Sequence, residues 1–215
     1  MAFPKNQRQN LLIIGGNSKI YQKYGALLNE HFEVESFSHV FFKSNKIVCE
    51  FDITLILSSG PLVADNIALY RDVRNNVRSK CFVLLSSLAA TLPISFDYYS
   101  YVRCKRYSEI EFESSLHGVV LRGGTFYDTE PPPVGTKIDL LIKSLKSIQP
   151  NESGYINLGV DISKNQMPSK LYRRLFSLRY YNTCRIFDVI YRLTGMRNYG
   201  YTFALQQQVL KEVAE

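Results

Sequence analysis

Leu11 to Gly25 reads LLIIGGNSKIYQKYG. A short, unbroken apolar run stops at Gly15 and Gly16 and gives way to an amphipathic segment with apolar positions at Tyr24, Leu27 and Leu28. Four successive apolar residues bounded by glycine suit a strand buried on both faces, as in a parallel sheet, and the spacing that follows is helical. A strand that turns tightly into a helix leaves the first helical N–H groups facing the turn, where they and the helix dipole attract an anion. The stretch predicts the first strand, turn and helix of an α/β domain, with a phosphate site at the head of the helix.

The same rhythm continues along the chain. EVESFS (33–38) alternates like a second strand, DITLILSSG (52–60) is a third, CFVLLSS (81–87) a fourth and HGVVLRGG (117–124) a fifth. Helical segments precede the last two, VADNIALYRDVRNNVRS (63–79) and SYVRCKRYSEIEFESS (100–115). Strands alternating with helices argue for a doubly wound parallel sheet. One interval is short: only 14 residues separate Ser38 from Ile53, whereas two parallel crossovers with a strand between them need about a dozen residues each. An element is missing there, so the Rossmann-like sheet is expected to be shortened between strands 2 and 4. Pro131 to Pro133 is read as closing the sheet-forming part. After it come a helix (KIDLLIKSLKSI), a short strand (GYINLGV) and a basic helical segment from Lys170 to Thr194, with Gly195 as its stop. The organisation expected is a Rossmann-like domain over residues 1–130 and a small C-terminal helical lobe over 131–215.

Composition narrows the function classes. The chain has 215 residues, 46% hydrophobic and 21% charged, enough for one good core and a small appended lobe. MAFPKNQRQN (1–10) is polar and basic, and no window approaches the ~18 apolar residues of a membrane span, so a cytoplasmic protein is expected. Cys49, Cys81, Cys104 and Cys184 form no CxxC pair, and His31, His39 and His117 no ligand-spaced cluster. Neither a disulfide framework nor a metal site is expected. The net charge of +7 points to an anionic partner, and the charge is concentrated late. From Lys164 to Arg197, eight cations (Lys164, Lys170, Arg173, Arg174, Arg179, Arg185, Arg192 and Arg197) face one acid, Asp188.

Tyr101 and Lys105 form Y-x-x-x-K in YVRCK, a spacing that puts phenol and ammonium on one helix face. In a chain with 15 tyrosines the pair carries no weight alone. Context supplies it, because the pair follows a strand ending in Ser86 and Ser87 and precedes one ending VVLRGGTFYD. A free phenol, with its pKa near 10, is a poor base at neutral pH, and an ammonium one helical turn away favours the phenolate.

With these residues in place, the chain from Leu11 to about Asp128 resembles the short-chain dehydrogenase/reductase family, particularly its extended branch of nucleotide-sugar epimerases, dehydratases and reductases. The resemblance rests on the Gly15-Gly16 turn, the strand-end Ser86-Ser87, the YVRCKRYSE helix with its Glu109, and LRGGTFYD. It implies Tyr101 as general acid/base, Lys105 as ribose ligand and depressor of the tyrosine pKa, and Ser87 as hydrogen-bond partner of the reacting oxygen. It also implies NAD(P), held by Gly15, Gly16, Asn17, Ser18, Lys19, Ile20, Ser38, Ser58, Ser59, Gly60, Lys105, Gly124 and Thr125. The implied activity is an NAD(P)-dependent oxidoreductase or epimerase acting on a nucleotide-linked sugar, within polysaccharide biosynthesis; the sequence leaves the oligomeric state open, a homodimer among the options. The alternative is a dehydrogenase-like domain without turnover that serves as a binding or scaffolding subunit.

The loop departs from the family's G-x-x-x-G-x-G and G-x-x-G-x-x-G patterns. Lys19 or Ser18 stands in place of the second glycine and Tyr21 in place of the last, where glycine lets helix and pyrophosphate approach the sheet. Tyr21 is expected to hold the helix off the sheet or to fill pyrophosphate space, and Lys19 to offer its ammonium to a phosphate. Ser38, where the family often has an acid for the adenine ribose of NAD, favours NADP.

For KLYRRLFSLRYYNTCRIFDVIYRLTG (170–195) several readings stand. One is an amphipathic helix packed on the sheet domain with a solvated basic face. In another, Arg173, Arg174 and Arg179 grip the substrate diphosphate, a task suited to guanidinium geometry. A third places 170–194 on anionic lipid at the inner face of a membrane, since arginine and aromatic residues are interleaved. Nucleic acid is not expected, because no recognisable motif accompanies the aromatics.

Overall fold

Leu11, Leu12, Ile13 and Ile14 are all wholly buried, because strand β1 (Asn10–Ile14) lies inside a six-stranded parallel sheet between β2 (Glu33–Phe37) and β3 (Glu50–Ile56). A parallel strand presents side chains to both covered faces, so its sequence is apolar without alternation. Leu11 and Ile13 enter the core beneath one helical layer, Leu12 and Ile14 the core beneath the other. The computed structural model describes residues 8–38, 47, 49–57, 63–97, 99–132, 134–162, 189, 204–206, 208 and 209.

Helices α1 (Lys19–His31) and α4 (Ile138–Ser147) cover the first face, and α2 (Val63–Asn76) and α3 (Ser100–Leu116) the second. Strands β4 (Arg78–Ser87) and β5 (Val119–Gly123) continue the sheet beyond β3, and β8 (Gly154–Asn157) ends it, in the order β2-β1-β3-β4-β5-β8. The α/β rhythm of the sequence is thus the architecture. Among the described residues no strand pairs outside β2, whose EVESF alternates exposed and half-buried positions as an edge strand does. The shortening expected before β3 falls on residues 39–49, most of which lie outside the described residues.

The triple proline does not close the sheet. Beyond it, α4 buries Leu141 and Leu145 against the α1 face, and β8 pairs with β5 in parallel register from Val119↔Gly154 to Arg122↔Asn157. A boundary at residue 130 therefore precedes two elements of the sheet domain. Beyond Ile162 the described residues are Val189, Ala204 to Gln206, Gln208 and Val209.

Two features not legible in the sequence shape the carboxyl edge of the sheet. After β5 the chain enters β6 (Thr125–Tyr127), which pairs in parallel with β7 (Gly135–Lys137). Gly124 permits the junction, since a Cβ there would lie 2.6 Å from the carbonyl oxygen of Val134, and its N–H donates to Thr136 Oγ1 at 2.8 Å. After β4, two short 3-10 turns, Leu88–Thr91 and Ile94–Phe96, carry a second small core. Leu88, Leu92 and Phe96 pack there with Tyr99, Val102, Ala204 and Leu205. Arg106 ties the segment to α3 by donating to the carbonyls of Ala90 and Leu92 and pairing with Asp97.

Candidate active site

A cavity of about 410 Å³ opens at the carboxyl ends of β3, β4 and β5, where ligands bind in open α/β sheets. The first two turns of α1 form one wall with Lys19, Ile20, Lys23 and Tyr24, and the start of α3 forms the opposite wall with Tyr101 and Lys105. Leu57, Leu85, Ser86 and Ser87 make the floor, Gly124 to Phe126 a side, and Val134 and Leu205 an apolar corner. Every charged residue of the described lining is a cation.

The roll of α3 is set by polar contacts on its buried face. Glu109, 2% exposed, takes Arg122 of β5 in a forked pair, with Nη2 to Oε2 at 2.6 Å and Nε 3.2 Å from both oxygens. The preceding residue, Ser108, is hydrogen-bonded to the Tyr70 hydroxyl of α2, and nearer the start of α3 Asn66 of α2 donates to Cys104 Sγ at 3.6 Å. With these residues and Phe112 turned inward, Tyr101 and Lys105 face the cavity one turn apart.

Ser87 sits where β4 enters the first 3-10 turn. Its Oγ accepts the N–H of Ala89 at 3.2 Å and is hydrogen-bonded to the Tyr101 hydroxyl. The Lys105 ammonium lies 5.7 Å from the centroid of the Tyr101 ring. The three predicted catalytic side chains are therefore neighbours in one cavity. Their electrostatics differ from the expectation that Lys105 lowers the phenol. Tyr101 keeps 47% of its surface exposed, but its hydroxyl end is desolvated at Ser87, and that burial raises its pKa while the Ser87 hydrogen bond opposes the rise. Burial likewise lowers the pKa of Lys105, with Cys104 and Glu109 pulling it back up. At neutral pH the phenol therefore stays protonated.

The glycine loop is built differently from the prediction. Gly15 adopts φ 107°, and the N–H groups of Gly15 and Gly16 both donate to the carbonyl of Phe37, at 2.9 and 3.1 Å. Ser18 caps α1, its Oγ accepting the Tyr21 N–H at 3.2 Å. The head of the helix thus offers the Lys19 and Ile20 amides and the exposed Lys19 side chain. Tyr21 is absent from the described cavity lining and packs, half-buried, against the core beneath α1. Its ring covers Gly25 one turn on, where a Cβ would lie 3.1 Å from Cε2, and Tyr24 and Leu28 remain buried beneath. The glycine at position 25 makes room for the tyrosine at position 21.

Of the predicted cofactor residues, Lys19, Ile20, Lys105, Gly124 and Thr125 line the cavity. Gly15, Gly16, Asn17 and Ser18 form the turn beside it, and Ser38 lies half-buried at the end of β2. Ser58, Ser59 and Gly60, and the predicted diphosphate ligands Arg173, Arg174 and Arg179, lie outside the described residues. Lys23, Tyr24, Leu57, Phe126, Val134 and Leu205 were not foreseen. Lys23, four residues from Lys19, was findable by helical spacing. Among the described residues no group of side chains could hold a metal ion, and no helix is long and apolar enough to cross a membrane.

No protein-family model and no curated protein matches the chain. Solved structures do. A short-chain dehydrogenase/reductase of wide type from Veillonella parvula DSM 2008, in complex with NADP, aligns at a TM-score of 0.50 and 15% identity, covering 76% of this chain and 100% of that one. An ethylated short-chain dehydrogenase/reductase from the same organism aligns at 0.50 and 12%, with the same coverage. This chain has the short-chain dehydrogenase/reductase fold. The cavity gathers the hydroxyls of Tyr101 and Ser87, and its floor includes Ser86, whose buried Oγ has no hydrogen-bond partner among the described residues.

Proposed function

We propose that the chain is an NAD(P)-dependent oxidoreductase or epimerase acting on a nucleotide-linked sugar. The observation that carries the reading is the hydrogen bond between Tyr101 and Ser87 under the Lys105 ammonium, in a cavity at the carboxyl edge of the sheet. When bound, the nicotinamide supplies or accepts the hydride. Tyr101 exchanges a proton with the substrate oxygen as general acid or base, and the burial that raises its pKa suits the acid role. Ser87 donates to the same oxygen. Lys105 holds the ribose hydroxyls, and Lys19 with the head of α1 takes the phosphates. Leu205 and Val134 give the substrate an apolar wall. The sugar-nucleotide class follows from the sequence resemblance, with Arg173, Arg174 and Arg179 as its diphosphate ligands. Ser38 at the end of β2 favours NADP over NAD.

The glycine amides engaged by the Phe37 carbonyl favour a second reading, a domain of the same fold that binds without turnover. Calorimetric titration with NAD, NADH, NADP and NADPH separates the two. Micromolar binding of any one supports the enzyme, and four flat traces support the binding subunit.

A further inference from the structure

We infer that Ser86 is a ligand-binding residue of this cavity, its hydroxyl kept for the nicotinamide end of the cofactor. The inference rests on the reading above that the cavity takes a nicotinamide nucleotide. Ser86 is 7% exposed, stands in the cavity wall and has no hydrogen-bond partner for its Oγ among the described residues. Buried hydroxyls in folded proteins are nearly always paired, and leaving one unpaired costs stability. The neighbouring polar groups are engaged elsewhere. Arg122, opposite Ser86 in the register of β4 and β5, is forked onto Glu109, and Ser87 serves the Ala89 N–H and Tyr101. Alanine would fill the position without that cost. A serine whose hydroxyl finds no partner among the described residues and is satisfied by a ligand accounts for both its burial and its place.

Thr54 provides the control. Its Oγ1 is the other buried unpartnered hydroxyl among the described residues, but it lies mid-strand in β3, opposite Leu12 and Phe82, away from the cavity lining. The experiment compares Ser86→Ala and Thr54→Val with wild type by thermal melting without ligand. Calorimetric titration of the same proteins follows, with NADPH, nicotinamide mononucleotide and ADP-ribose. The expected result for Ser86→Ala is a melting temperature no lower than wild type, with affinity for NADPH and nicotinamide mononucleotide about five-fold weaker, the worth of one hydrogen bond. ADP-ribose affinity should not move, and Thr54→Val should leave all three affinities unchanged. A Ser86→Ala protein that melts lower and binds as tightly as wild type has lost a partner it already had, which overturns the inference alone. Wild-type protein that binds no nicotinamide nucleotide overturns the proposed function, and the role of Ser86 with it.

Discussion

The Lys105 ammonium stands over the ring of Tyr101, 5.7 Å from its centroid, while the Tyr101 hydroxyl is tied to Ser87 on a different element. Two residues four apart on α3 and one at the end of β4 thus share a space that no single segment builds. If Tyr101 transfers the proton, Tyr101→Phe removes that proton and little else. Turnover should fall about 10²-fold or more with cofactor affinity nearly unchanged. Steady-state kinetics beside calorimetry checks this, and an unaltered kcat would remove Tyr101 from the mechanism.

Lys105→Met should behave in the opposite way. Burial lowers the pKa of Lys105 from its ordinary 10.5, so the folded state resists the charged form. The penalty applies wherever the ammonium is charged and fades as pH rises through the lowered pKa toward 10.5. The methionine variant should therefore be more stable than wild type at neutral pH, with the advantage shrinking at high pH, and should bind NADPH more weakly. Urea unfolding at pH 7 and pH 10 tests the sign. A variant less stable at pH 7 would show that the interactions Lys105 makes outweigh the cost of its burial.

Glu109 and Arg122 fix the roll of α3 from outside the described cavity lining. Glu109 is nearly fully buried, so Glu109→Ala leaves the Arg122 guanidinium poorly solvated and uncompensated. The expected loss is about 3 kcal/mol of unfolding free energy. The double variant Glu109→Leu with Arg122→Met should recover most of it, because both charges go together. Additive losses in urea denaturation would contradict that coupling.

How far the sequence could be read depends on the range of the signal. β1, β4 and the helices are local patterns: LLII is apolar because both faces of its strand are covered, and Tyr101 and Lys105 share a face because helical periodicity places them there. The floor serine was legible as a strand end. Leu205 was not, since its place in the cavity depends on packing with Leu88 and Phe96, more than a hundred residues earlier. Nor was the pairing of β6 with β7, whose three-residue strands carry no periodicity. The role of Tyr21 was misread because its partner, Gly25, was seen only as a helix residue, although the two are one turn apart.

The arginine-rich stretch 170–194 allows a test of its own. If Arg173, Arg174 and Arg179 hold a substrate diphosphate, replacing all three with glutamine should raise the apparent substrate constant and leave vesicle association unaffected. If they face a membrane, the reverse holds. Flotation with anionic vesicles at low and high salt separates the two readings, and absence from the vesicles at both salt concentrations would dismiss the membrane.

The rebuilt loop makes the last prediction. In the family pattern the later glycines let the pyrophosphate approach the backbone, and restoring them by Lys19→Gly with Tyr21→Gly should tighten binding if the loop has merely decayed. The geometry argues for the opposite sign. The amides of Gly15 and Gly16 already serve the Phe37 carbonyl, and the Tyr21 amide serves Ser18. New glycines at positions 19 and 21 free none of them. Removing Tyr21 uncovers Gly25, and each added glycine costs the helix about 1 kcal/mol. Removing Lys19 takes away a charged phosphate contact worth about 1.5–3 kcal/mol. The double variant should therefore bind NADPH at least ten-fold more weakly, with a shallower salt dependence than wild type because one cation fewer meets the phosphates. Tyr21→Gly alone should lower the melting temperature with a smaller effect on affinity. Tighter NADPH binding by the double variant, measured by calorimetry at low salt, would show that the loop is a decayed one and that Lys19 does not hold the phosphate.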